Sequence, residues 1–95
     1  MNRIALWTGR GYSRAFWVEI TGENKEDFSL LSSQPFEDNW DWLVEYTYTY
    51  RGLGIRSQNY IKQTNYLQYI VVLDYESDPV PVEMQNILES FTISG

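Results

Sequence analysis

Residues 42–50, Trp-Leu-Val-Glu-Tyr-Thr-Tyr-Thr-Tyr, constrain the fold more than any other segment. Val44, Tyr46, Tyr48 and Tyr50 fall on one side of an extended chain, and Leu43, Glu45, Thr47 and Thr49 on the other. Strict two-residue alternation of aromatic and β-branched side chains is the mark of a strand packed on at least one face. A strand needs neighbours, so the rest of the chain must supply a sheet.

Three further runs qualify. Residues 3–21 read as a hairpin: Ile4, Leu6 and Thr8 alternate, Thr8-Gly9-Arg10-Gly11 has turn chemistry, and Phe16, Val18 and Ile20 share a face of the return strand. Residues 66–75 carry Leu67, Tyr69, Val71, Leu73 and Tyr75 on one face and Ile70 and Val72 on the other. Apolar groups on both faces predict a central strand. Residues 56–63 are more polar, which predicts an edge or a solvent-exposed hairpin. Arg51-Gly52-Leu53-Gly54 is the expected turn before that run, and Thr64-Asn65 the one after it.

The sheet ends at Asp74-Tyr75-Glu76-Ser77-Asp78-Pro79-Val80-Pro81, because proline cannot continue a ladder. A helix over 81–90 follows, with Met84, Ile87, Leu88 and Phe91 forming its apolar stripe. Thr92-Ile93 reads as a final extended pair. Residues 28–41 read as a loop with at most one turn, broken at Ser32-Ser33-Gln34-Pro35. The expected fold is therefore a single α+β domain: an antiparallel sheet of about five strands with one C-terminal helix packed on one face. At 95 residues the core is small, and 17% aromatic content supplies the bulk it needs.

Composition narrows function by exclusion. Histidine and cysteine are both absent, which removes the commonest general base, the commonest metal ligand and every thiolate site. The expectation is a chain that is not an enzyme and takes no cofactor or metal. The formal charge of −6 disfavours nucleic acid and anionic membrane surfaces as partners. It suits a soluble chain that meets a basic protein. The first residues, Met1 to Trp7, do not form a signal peptide, and no stretch has the length of a membrane span, so the compartment stays open.

Glu37, Asp38, Asp41 and Glu45, interleaved with Trp40 and Trp42, are the densest acidic group. Exposed tryptophan beside carboxylates suits docking of a basic protein partner, and a charged loop covering two tryptophans accounts for the same residues. Asp74, Glu76 and Asp78 alternate like calcium-loop ligands. The loop would need glycine next and glutamate at its twelfth position, where Pro79 and Gln85 stand. Gly9-x-Gly11 and Gly52-x-Gly54 lack the remainder of any phosphate-binding pattern.

Four C-terminal pieces go together: Asn59-Tyr60-Ile61, Gln68-Tyr69-Ile70-Val71-Val72, Asp78-Pro79-Val80-Pro81 and Ile87-Leu88-Glu89-Ser90-Phe91. In that order they resemble the C-terminal end of the Mog1/PsbP-like group. The resemblance implies a non-catalytic accessory domain that docks on a larger assembly, and it carries over no binding residues. The expected function is thus a protein-interaction or accessory module. A small acidic inhibitor of a basic enzyme, of the immunity or phage-antagonist kind, is the alternative, and a small-molecule or carbohydrate binder is a third. A polar edge strand beside tyrosine-rich ones also suits pairing across a homodimer.

Overall fold

The computed structural model describes residues 2–9, 24–36, 40–64, 67–76 and 80–90. Five strands form one sheet: β1 (Arg3–Gly9), β2 (Glu26–Pro35), β3 (Trp42–Tyr50), β4 (Leu53–Gln63) and β5 (Gln68–Tyr75). They lie in the order β1-β5-β4-β3-β2, and every neighbouring pair is antiparallel. One helix, α1 (Val82–Ser90), follows among the described residues. The α+β fold expected from the alternation is the one observed. The expected return strand at Phe16, Val18 and Ile20, Thr92-Ile93, Phe91, Glu37 and Asp38 lie outside the described residues.

The meander from β2 to β5 is built from local chemistry. β3 and β4 join through Arg51 and Gly52, with φ of 51° and 79°, while Tyr50 pairs with Leu53. Positive φ at both central residues is the type I′ turn, whose twist matches that of the strands it joins. The turn is therefore two residues long, and Leu53 and Gly54 already belong to β4. Arg51 lies over the Tyr50 ring, 5.2 Å from its centroid. After β4, Thr64 N donates to Leu67 O at 2.9 Å and Leu67 N donates back to Thr64 Oγ1 at 3.2 Å, closing the next connection.

Two expectations are corrected. Residues 26–35 form a ten-residue strand, not a loop. The ladder with β3 slips between Glu26 and Ser29 and again between Leu30 and Ser32. Asp27, at φ 51°, sits within the first slip. Each slip breaks the two-residue period that identifies a strand. β4 is the central strand rather than an edge, because its polar side chains find partners inside the sheet. Asn59 Nδ2 donates to Val44 O and to Ser57 Oγ, both at 3.2 Å. Arg56 Nη2 donates to Glu45 Oε2 at 3.0 Å.

Both faces of the sheet are buried at its centre. On one, Leu43, Tyr60, Val71, Leu73 and Tyr75 pack with Met84 and Leu88 of α1 and with Trp40. Burying a side chain of this size contributes about 1.5–3 kcal/mol. Pro81 O accepts the first helical amides, from Met84 and Gln85. Glu83 lies in the first turn, where the helix dipole favours an acid. Ile87 is 46% exposed, so the apolar stripe is narrower than its spacing predicts. The opposite face holds Val44, Tyr46, Tyr48, Ile55, Ile70 and Val72. β5, buried on both sides, is interior as its sequence predicts.

Candidate functional site

The described members of the acidic and tryptophan group, Trp40, Asp41, Trp42 and Glu45, do not assemble as one surface. Trp40 is 4% exposed and tilts against Tyr60 at 6.0 Å between ring centroids. It is a core residue, covered as the charged-loop reading expects of it and not exposed as the docking reading requires. Asp41 is exposed and holds the turn in place: its Oδ2 accepts from Gln63 N at 2.8 Å, and its own N donates to Ile61 O at 2.8 Å. Trp42 is 39% exposed, and its Nε1 donates to Ser33 Oγ of β2 at 2.9 Å. Glu45 stands three residues further along β3, on the other face, paired with Arg56. The odd spacing of Trp42 and Glu45 was visible in the sequence and already separates them.

What Trp42 does meet is β2. Pro35 pairs with Trp42, Ser33 with Val44 and Leu30 with Tyr46, so Leu30 and Trp42 share a face of the edge pair. Leu30 is 55% exposed and Leu31, at the second slip, 47%. Phe28 is half-buried, 5.0 Å from the Tyr46 ring. Lys25 reaches over the Tyr46 and Tyr48 rings at 5.7 and 5.5 Å. Glu26 and Asp27 are exposed at one end of β2, and Asp41 lies at the other, where Phe36 N donates to Asp41 O at 3.2 Å. Sequence reasoning missed this surface because β2 itself was missed.

A second constellation runs under the sheet's other residues. Asp74, Ser57 and Asn59 are fully buried on the face that carries Tyr46 and Tyr48. Arg3 of β1 reaches Asp74 from the side, Nη2 to Oδ2 at 2.7 Å. Asp74 Oδ1 and Asn59 Oδ1 have no hydrogen-bond donor. The Tyr48 phenol faces Asp74; burial first, and then the carboxylate, push its pKa well above the usual tyrosine range. On the helix side, burial, then Glu45 and Tyr75, push Tyr60 up to about 12. Both phenols stay protonated over the physiological range and serve as neutral packing groups. No group of three or more His, Cys, Asp or Glu side chains able to hold a metal ion occurs among the described residues. The polar line Arg3–Asp74–Ser57–Asn59 crosses three strands, which suits it to fixing their register.

No protein-family model, curated protein or solved structure matches the chain. No helix among the described residues is long and apolar enough to cross a membrane.

Proposed function

We propose that this chain is a non-catalytic protein-interaction module that docks a basic partner protein on the edge formed by β2 and the start of β3. One observation carries the reading: Leu30, Leu31 and Trp42 are exposed on a single edge pair, at 55%, 47% and 39%. Scattered exposed apolar residues are ordinary, but an apolar group concentrated at a strand edge and rimmed by polar residues suits an interface. The rim here is acidic, with Glu26, Asp27 and Asp41, on a chain of net charge −6. Long-range attraction to a positive partner follows from that balance. The C-terminal resemblance to Mog1/PsbP-like domains points the same way, toward an accessory domain.

The test is capture from native lysate at low and high salt, then binding of the purified partner to the wild type and to a Leu30→Ser, Trp42→Ser variant. A stoichiometric basic partner, released by salt and bound at least about tenfold more weakly by the variant, is the expected result. Equal affinity for variant and wild type would move the interface off this edge.

A further inference from the structure

We infer that β2 takes up its partner by strand addition, the occupant being an extended segment of the partner protein rich in Lys or Arg. The inference rests on the docking reading above and specifies its mode. β2 is ten residues long and lies at the end of the sheet; among the described residues its far edge is unpaired. Such an edge presents a row of free amide and carbonyl groups. Proteins that must avoid pairing place lysine, proline or an inward charge in the middle of an edge, or bend it with bulges. Residues 28–34, Phe-Ser-Leu-Leu-Ser-Ser-Gln, hold no such side chain; both slips in register come before Ser32, and Ser32–Pro35 pair regularly with β3. The charges and the proline stand only at the ends, as Glu26, Asp27 and Pro35. Leu30 and Leu31 add apolar area on which an incoming strand's side chains can rest.

Charge selects the occupant. A second copy carries the same net charge of −6, so two copies repel before their edges can pair. A segment with cations at one end meets the exposed carboxylates of Glu26 and Asp27.

The probe is a synthetic peptide of alternating Lys and Val, about eight residues long, a typical strand length. A second peptide with Glu in place of Lys is the control. Amide exchange of the intact protein is followed by NMR. With the Lys peptide, alternate amides of β2 should slow by about tenfold or more, while the Glu peptide leaves them unchanged. Neutralising Glu26→Gln with Asp27→Asn should weaken the Lys peptide about threefold at low salt and flatten its salt dependence. Asparagine tolerates the positive φ at position 27, so the fold survives that change.

Three outcomes overturn the inference. Shifts at Leu30, Leu31 and Trp42 without slower β2 amides would sink strand addition and leave the docking surface standing. Equal effects of both peptides, or of neither, would remove the basic segment as occupant, with the docking reading still decided by the Leu30, Trp42 variant. A sedimenting dimer that protects β2 by itself would assign the edge to a second copy.

Discussion

Arg3 reaches a single oxygen of Asp74 with two donors, Nε at 3.0 Å and Nη2 at 2.7 Å. The partners differ in setting: the Arg3 side chain is 43% exposed and that of Asp74 is fully buried. That asymmetry predicts an order of mutational cost. Arg3→Ala strands a carboxylate away from water and should cost on the order of 2 kcal/mol or more. Asp74→Asn removes the buried charge and leaves a cation that water already reaches, so it should cost less. Urea unfolding of the two variants decides the matter; a larger loss for Asp74→Asn would mean that the carboxylate is stabilised chiefly by its other neighbours.

The helix offers a sharper contrast. Leu88 is buried against the sheet and Ile87, one residue earlier, is 46% exposed. Leu88→Ala should cost about 2–4 kcal/mol through lost burial and the cavity left behind. Ile87→Ala should stay within about 0.5 kcal/mol of the wild type. Equal losses at both positions would require that α1 turn Ile87 toward the core.

Gly52 tests the turn. It has φ 79°, and a Cβ built there meets nothing within 4 Å. The cost of Gly52→Ala is therefore conformational rather than steric, about 1 kcal/mol from the left-handed backbone. Thermal or urea unfolding should show that loss, and a neutral substitution would argue against the I′ geometry.

Alkaline pH probes the buried phenols. Tyr60 rises from the ordinary 10.0 to about 12 in the folded chain, and Tyr48 is displaced in the same direction. The unfolded chain releases these protons first, so above about pH 10 it binds fewer protons than the native state. The stability they contribute is fully present below pH 10 and is lost as pH rises through 12. Urea midpoints should fall across that window, less steeply in Tyr60→Phe. A flat profile between pH 10 and 12 would contradict the burial of these groups.

Legibility followed the period of each strand. β3 and β5 were readable because nothing interrupts their alternation. β2 was not, because its two slips set Phe28, Leu30 and Leu31 out of phase. β4 is legible as a strand, but the polarity of residues 56–63 points it to an edge. The assumption that polar strands face water fails when one amide serves both a neighbouring carbonyl and a serine two residues away. The candidate site fared worse. Trp40 sits among acids in sequence, yet the turn held by Asp41 folds it under Tyr60. Among the described residues of the acidic group, Asp41 and Trp42 lie at the edge proposed for docking.

The strand order also has a consequence in time. Strands β2 to β5 can assemble by successive hairpins, whereas Arg3 must find Asp74 across a separation of 71 residues. Closing so long a loop is entropically expensive, and few local contacts compensate for it early in folding. We predict that β1 docks after the rate-limiting step, so that Arg3→Ala speeds unfolding and leaves refolding nearly unchanged. A slowed refolding limb would place β1 in the nucleus instead. With β1 docking late, the grip of one exposed arginine governs the lifetime of the folded molecule more than the speed of its formation.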